Sequence, residues 1–233
     1  MPPEHPHVHP LRGPLSEVMT QLGLPAAPEA VDRLVEYLEL LQRWNATYNL
    51  TAVRTPQDML HQHLADCLAV VGSMVRQLDS AIDDPSHRAG HLLRVLDVGS
   101  GGGLPGVVLA VWFPRWQVVC VDAVGKKAAF IRQVAAELGL PNLSAEHARV
   151  EALRSDPFDV ITSRAFASLV DFTRLTRAAL APEGVWMAMK GKTPVDELTV
   201  LPEDIEVFHV EPLSVPGLNA ERCLVWMRPK NTV

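Results

Sequence analysis

The chain has 233 residues, of which 48% are hydrophobic, and a formal net charge of −6 at pH 7. This length and composition predict one sizeable α/β domain with a packed core, plus an extension. The charge gives no support to a strongly basic nucleic-acid binder, although a local basic face can exist on an acidic protein. The amino-terminal stretch lacks the apolar segment of a signal peptide, and the longest apolar run, VVLAVWF, is too short to span a bilayer. Three distant cysteines predict buried thiols in a reducing compartment. We therefore expect a cytoplasmic protein without membrane contact.

The first part of the chain predicts helices. Residues 1–13 are rich in proline and histidine and have no period, which predicts a disordered tail. Residues 14–91 are interpreted as an N-terminal helical extension and a linker. Within them, apolar side chains of residues 29–44 recur at helical spacing, and Thr55 is suited to cap a second helix. Residues 79–91 have no apolar period and are assigned to the linker.

From residue 92 onward, strand and helix patterns alternate. Helices are predicted at residues 126–139, where Gly139 ends the helix, and at residues 171–184. Strands are predicted at residues 92–98, 116–122, 142–147, 158–163, 185–190, 205–211 and 222–229. This alternation predicts a doubly wound, mostly parallel sheet of seven strands. The last two strands have no predicted helix between them, which favours an antiparallel hairpin at one edge.

The segment VLDVGSGGGLPG, residues 95–106, carries five glycines directly after the first predicted strand. A glycine-rich turn at this place in such a sheet binds a nucleotide-like ligand. A phosphate-binding P-loop is excluded because the segment has no lysine. The dinucleotide pattern G-x-G-x-x-G fits at Gly101, Gly103 and Gly106, but this register begins only after Gly99 has turned the chain.

The same segment also fits the loop that binds S-adenosylmethionine, an acidic residue followed by G-x-G-x-G. Asp97, Gly99, Gly101 and Gly103 match this pattern without adjustment. The glycines would let the methionyl and ribose parts of the ligand pack on the backbone. Asp97 would orient contacts to the ligand ammonium or hydrogen-bond the turn. Asp122, which ends the second strand, would accept from the ribose hydroxyls in either class of cofactor, or cap the next helix.

Four stretches of the chain carry a more specific pattern in their order and spacing: RWNATYNLTAVRTPQDMLHQHLADCLAV, LDVGSGGGLPG, ARVEAL and SRAFASL. Together they cover about residues 40–190. They resemble the RsmG (GidB) family of bacterial S-adenosylmethionine-dependent methyltransferases of small-subunit ribosomal RNA. The resemblance implies a Rossmann-like class I methyltransferase domain over residues 92–233. It also implies methylation of N7 of one guanosine in the 530 loop of 16S rRNA.

The resemblance assigns roles to individual positions of this chain. It implies that Gly99 and Leu104 line the cofactor, that Val150 and Glu151 lie beside its adenine, and that Arg164 lies at the face shared by cofactor and target. It also implies that the partner is 16S rRNA, in the small subunit or an assembly intermediate. We further expect a monomer that uses no metal. The chain departs from the family, which commonly has serine there, at Cys67, Ala123 and Ala148.

The sequence lacks motifs that are typical of methyltransferases with other targets, which is consistent with methylation of guanine N7. It has no [DN]-P-P-[YF] loop after the fourth strand and no cysteine near the fourth or fifth strand end to act as nucleophile. Guanine N7 has a lone pair and no proton, so its methylation needs positioning and exclusion of water and no general base. Arg164 is the candidate for positioning the target. His63 and Asp66, three positions apart, are interpreted as a structural pair or as residues facing the target.

A basic rim is expected at the carboxyl ends of the strands, where it would meet RNA phosphates. Its candidates are Lys126, Lys127, Arg132, Arg149, Arg164, Lys190 and Lys192. Other functions stay open at this point. They are an NAD-linked oxidoreductase, a non-catalytic S-adenosylmethionine-binding protein associated with RNA or ribosomes, and a methyltransferase of small molecules.

Overall fold

A computed structural model describes residues 9–83 and 92–230 of the chain. Before the sheet lie α1 (Arg12–Gln21), α2 (Pro28–Tyr48), α3 (Pro56–Met59), a π-helical turn (Leu60–Ala65), α4 (Asp66–Leu68) and α5 (Val71–Asp83). The strands are β1 (Arg94–Val98), β2 (Gln117–Asp122), β3 (Leu143–His147), β4 (Phe158–Arg164), β5 (Leu180–Lys190), β6 (Ile205–Leu213) and β7 (Arg222–Pro229). The helices between them are α6 (Gly106–Trp112), α7 (Gly125–Glu137), α8 (Leu169–Thr176) and α9 (Val195–Thr199).

The seven strands form one sheet in the order β3-β2-β1-β4-β5-β7-β6. The first five strands are parallel, and β7 runs antiparallel to both β5 and β6. The predicted seven-stranded, mostly parallel sheet with a closing antiparallel hairpin is therefore confirmed. The strand order reverses beside β1, and in such sheets ligands bind at the carboxyl ends of the strands next to the reversal.

Both faces of the sheet are covered by apolar side chains. Along β1, Val95 packs into the cluster that contains the N-terminal helices, whereas Leu96 packs into the cluster on the opposite face. The first cluster joins Leu15 of α1 and Leu34 of α2 to Val118 of β2. The N-terminal helices therefore share one continuous core with the sheet, which fixes their position relative to its carboxyl edge.

Helical structure begins earlier and ends later in the N-terminal part of the chain than the sequence predicted. Leu11 is buried, its N–H donates to His9 Nδ1, and α1 begins at Arg12, so residues 9–13 are not a disordered tail. The rest of that predicted tail, residues 1–8, lies outside the described residues. Helix α5 continues to Asp83, so the assigned linker is helical at its start, and residues 84–91 also lie outside.

The helix predicted at residues 171–184 is too long. Helix α8 ends at Thr176, and β5 already begins at Leu180. Pro182 cannot continue a helix because it lacks the N–H donor. Leu180 instead pairs with Phe158 of β4 across a register shift, so the segment lengthens the strand. Among residues 9–83 and 92–230, no helix combines the length and the apolar character needed to cross a bilayer.

Candidate active site

The glycines of the loop between β1 and α6 serve different purposes. Gly99, Gly101 and Gly103 have φ values of 66°, 59° and 85°, the left-handed region that glycine favours. A Cβ at Gly99 would lie 2.7 Å from Phe166 Cδ2, and a Cβ at Gly103 would lie 2.7 Å from Val107 Cγ2. A Cβ at Gly101 would meet nothing closer than 3.9 Å. We expected each of these glycines to be required because a Cβ would clash with a ligand. Of the three, only Gly101 faces open space, whereas at Gly99 and Gly103 the Cβ would clash with protein side chains.

Two side chains, one from β1 and one from α2, hydrogen-bond to the backbone of the glycine loop. The side chain of Asp97 is fully buried, and its Oδ2 accepts a hydrogen bond of 2.8 Å from the Gly106 N–H. Burial raises the pKa of Asp97 to about 7, and its Oδ1 has no hydrogen-bond partner among the described residues. From α2, the Tyr37 hydroxyl donates to the Gly102 carbonyl at 2.7 Å. Of the two roles that the sequence allowed, these contacts favour Asp97 as the residue that binds the turn.

Asp122 lies at the carboxyl end of β2, facing the glycine loop. Its Oδ2 accepts from the Gly101 N–H at 3.0 Å, and its Oδ1 accepts from the Val124 N–H at 2.8 Å. Lys127 Nζ lies 3.7 Å from Oδ2. The N-cap of α7 is Val124, so Asp122 is not that cap. Each carboxylate oxygen keeps a second lone pair, which leaves Asp122 able to accept from a ligand diol.

A cavity of about 480 Å³ opens between the N-terminal helices and the carboxyl edge of the sheet. It is lined by glycine-loop residues on one side and by residues of the N-terminal extension on the other. Of the predicted site residues it brings together Gly99, Gly101, Leu104 and Arg164. Predicted site residues outside its lining are Asp97, Gly103, Asp122, Val150 and Glu151.

The last two of these residues lie along the same edge of the sheet, past β3. A short 3₁₀ turn, Val150–Ala152, contains buried Val150 and exposed Glu151. The Ala148 N–H just before it donates to the Asp122 carbonyl at 3.2 Å, which ties this segment to the end of β2. The glycine loop, Asp122 and the 3₁₀ turn therefore follow one another along the carboxyl ends of β1, β2 and β3.

A buried carboxylate joins two arginines at the cavity. The Asp66 side chain is 4% exposed, and its Oδ2 accepts from Arg164 Nη1 at 3.2 Å while its Oδ1 accepts from Arg222 Nε at 2.7 Å. Arg164 Nη1 also donates to the Gln62 carbonyl. Arg222 was not among the site residues predicted from the sequence. The signal was its place at the start of an antiparallel strand, because such a strand begins at the edge where its parallel neighbours end.

His63 lines the same cavity from the π-helical turn. Its Nε2 lies 2.9 Å from Thr51 Oγ1, and its Nδ1 has no hydrogen-bond partner among the described residues. Burial and the nearby Arg164 charge lower the pKa of His63 to about 4, so the ring is neutral at neutral pH. His63 and Asp66 therefore take different partners and do not form the predicted pair.

Several basic side chains of the predicted rim form hydrogen bonds or ion pairs within the protein. Lys190 Nζ, for example, donates to both carboxylate oxygens of Glu197 and to the Ala167 carbonyl. Other candidates with protein partners are Lys127, Arg132 and Arg164. The exposed candidates are Lys126, Arg149 and Lys192. The rim is thus less basic than the sequence alone suggested.

Comparison with known proteins identifies the family of this chain. The sequence model of GidB, described as "rRNA small subunit methyltransferase G", matches residues 30–225. The chain belongs to this family. A protein from Leptothrix cholodnii named "Ribosomal RNA small subunit methyltransferase G" is 60% identical, over 90% of this chain and 92% of its own length. One of the same name from Methylibium petroleiphilum is 61% identical, over 85% of each chain.

The fold agrees with that membership. The crystal structure of a ribosomal protein L11 methylase from Lactobacillus delbrueckii subsp. bulgaricus superposes with a TM-score of 0.51 at 15% identity, over 76% of this chain and 81% of that one. This member of the GidB family is a class I methyltransferase whose methyl donor is S-adenosylmethionine. The open space over Gly101 and the spare lone pairs of Asp122 fit that donor. Family membership also excludes an NAD-linked oxidoreductase.

Proposed function

We propose that this protein transfers the methyl group of S-adenosylmethionine to N7 of a guanosine in the 530 loop of 16S rRNA. The observation that carries the proposal is that the cavity offers no competent general base. Asp66 is the only carboxylate among the described residues that line it, and both its oxygens are bound to arginines. His63, with a pKa of about 4, is a weak proton acceptor at neutral pH. A target atom that carries a lone pair and loses no proton suits such a site.

In this proposal the residues have separate roles. Gly99, Gly101, Gly103 and Leu104 form the surface on which the donor lies, and Asp97 holds that loop in shape. The ribose hydroxyls bind to Asp122, and the adenine lies beside Val150 and Glu151. Arg164 positions the target, at the boundary between donor and RNA. Supporting observations are the left-handed glycines, the open space over Gly101 and the cavity next to Arg164.

The biological setting is part of the same proposal. Relatives of this chain are named for ribosomal RNA of the small subunit. We infer that the substrate is 16S rRNA in the small subunit or in an assembly intermediate, that the enzyme acts in the cytoplasm as a monomer, and that it uses no metal. Residues 92–233 would form the methyltransferase domain and residues 14–91 the N-terminal extension with its linker. Within that extension, residues between Leu41 and Asp66 line the cavity opposite the glycine loop.

The test is methyl transfer from radiolabelled S-adenosylmethionine to naked 16S rRNA, isolated small subunits and whole ribosomes, each from cells lacking the enzyme. We expect label in the 530 loop of at least one RNA substrate, and less label with an Asp122→Ala variant at low donor concentration. Label in a base outside that loop would contradict the proposed target. Binding of the donor without transfer to any RNA substrate would favour the non-catalytic alternative.

A further inference from the structure

The cluster of Asp66, Arg164 and Arg222 is assembled from three distant parts of the chain. Asp66 begins α4, Arg164 ends β4, and Arg222 begins β7. Two guanidinium groups share one buried carboxylate, so the cluster carries a net charge of +1. Placing two like charges at a cavity wall is unfavourable unless something offsets their repulsion, and Asp66 offsets only one of them.

Some N–H groups of the two arginines have no hydrogen-bond acceptor among the described residues. A guanidinium has five N–H donors in a planar fork. Arg164 donates through Nη1, and Arg222 donates through Nε to Asp66 and through Nη1 to the Glu221 carbonyl. Arg164 Nε and Nη2, and Arg222 Nη2, have no acceptor among the described residues. The two side chains are 23% and 26% exposed, and both line the cavity. The free donors therefore suit an anionic or strongly accepting ligand.

The proposed chemistry decides which ligand that is. An arginine fork binds carboxylate, phosphate or the O6/N7 edge of guanine. Bidentate binding to that edge would occupy the N7 lone pair, which is the atom that must attack the methyl group. The pair of arginines therefore cannot read the base in this way while the reaction proceeds. A phosphodiester, with one negative charge, matches the net charge of the cluster.

Arg222 lines the same cavity as Gly99 and Gly101, on the side away from the adenosine end of the donor site. The donor loop follows β1, and β7 lies three strands away in the order β1-β4-β5-β7. At the usual spacing of neighbouring strands this is about 14 Å. Arg222 therefore lies on the opposite side of Arg164 from the adenosine end of the donor site. A base that leaves its stack to enter the cavity would bring its own backbone phosphate to this side.

We propose that Arg164 and Arg222, held side by side by Asp66, bind a phosphodiester next to the target guanosine. This inference rests on the proposed function. In it, Asp66 is a positioning residue that acts through the two arginines.

The test compares Arg222→Gln and Asp66→Asn with Arg228→Gln. Arg228 lies at the other end of β7, pairs with Glu206 and serves as the matched control. RNA affinity is measured from low to high salt, using 16S rRNA that the wild-type protein methylates. Each phosphate contact contributes a slope of about 0.7–0.9 to the fall of log affinity with log salt. We expect Arg222→Gln to flatten this slope by about that amount and Arg228→Gln to leave it unchanged. Asp66→Asn, which releases both guanidinium groups, should lower RNA affinity at high salt, where its added positive charge is screened.

A second arm tests the phosphate directly. A synthetic RNA of the target loop carries one uncharged methylphosphonate at either linkage flanking the guanosine. At one of the two linkages the wild-type protein should lose severalfold in affinity. Arg222→Gln should lose clearly less, because the variant already lacks one of the two arginine contacts to that phosphate and keeps only the contact of Arg164. Calorimetry should show unchanged affinity for S-adenosylmethionine in Arg222→Gln, which also shows that the variant is folded.

The outcomes separate this inference from the proposed function. If the wild-type protein methylates no RNA, the proposed function fails. If it methylates the RNA but Arg222→Gln keeps the wild-type salt slope and the full methylphosphonate effect, the phosphate site is refuted. Lower affinity of Arg222→Gln for S-adenosylmethionine, with RNA binding intact, would also refute it and would assign the cluster to the donor carboxylate.

Discussion

Replacing Gly101 with alanine tests the donor site against an internal control. Gly101 and Gly139 have φ values of 59° and 60°, and an added Cβ at either position has no close protein neighbour. The left-handed conformation costs a residue with a Cβ about 1–2 kcal/mol. In a chain of this size that corresponds to a fall in Tm of about 2–8 °C. Both Gly101→Ala and Gly139→Ala should show this fall, since their strain is the same.

The two variants should differ in donor binding. The Cβ of Gly101→Ala would project into the open space that we propose for the donor, whereas Gly139 follows the end of α7, away from the loop. We expect calorimetry to show at least a tenfold loss of affinity for S-adenosylmethionine in Gly101→Ala and wild-type affinity in Gly139→Ala. Wild-type donor affinity in a Gly101→Ala protein that unfolds like Gly139→Ala would refute the assignment of that open space to the donor.

Three further predictions concern ionisable groups. Asp122→Ala should weaken S-adenosylmethionine binding by about 1–3 kcal/mol through lost hydrogen bonds to ribose, and unchanged affinity in calorimetry would contradict that role. The rate of the chemical step, measured in single turnovers at saturating donor, should be nearly independent of pH between about pH 6 and 9. The reasons are that N7 loses no proton and that His63, with a pKa of about 4, is already neutral. A rate that changes steeply with pH would indicate a general base. Burial raises the folded-state pKa of Asp97 above its unfolded value, so its contribution to stability is present at low pH and is lost as the pH rises to about 7. The Tm of Asp97→Asn relative to wild type should therefore increase between pH 5 and pH 8, and a constant difference would contradict the buried ionisation.

Much of the architecture was predictable because it depends on local patterns. Buried apolar runs gave the strands, and Gly139 ends α7 with the expected left-handed conformation. Thr55 caps α3 by accepting from the Asp58 N–H at 3.1 Å, as its spacing predicted. The boundary between α8 and β5 was not predictable from periodicity, because pairing with Phe158 extends the strand into a helix-like segment.

The site was less predictable than the fold, because its contacts join residues that are distant in sequence. The glycine loop and Asp122 could be found from local patterns after two successive strands. The ion pair of Asp66 with Arg222 spans 156 positions and depends on β7 running antiparallel to β5. The π-helical turn that contains His63 and ends just before Asp66 could not be predicted from the spacing of the apolar residues.

The most direct test of the central claim is strand cleavage at the modified base. Methylation at N7 leaves a positive charge on guanine, and borohydride followed by aniline should then break the RNA chain at that nucleotide. We predict one break, in the 530 loop, in 16S rRNA treated with the wild-type protein and S-adenosylmethionine, and no break when the donor is omitted. A methylated RNA that resists this cleavage would contradict N7 chemistry and would assign the methyl group to an exocyclic amine or a ring carbon.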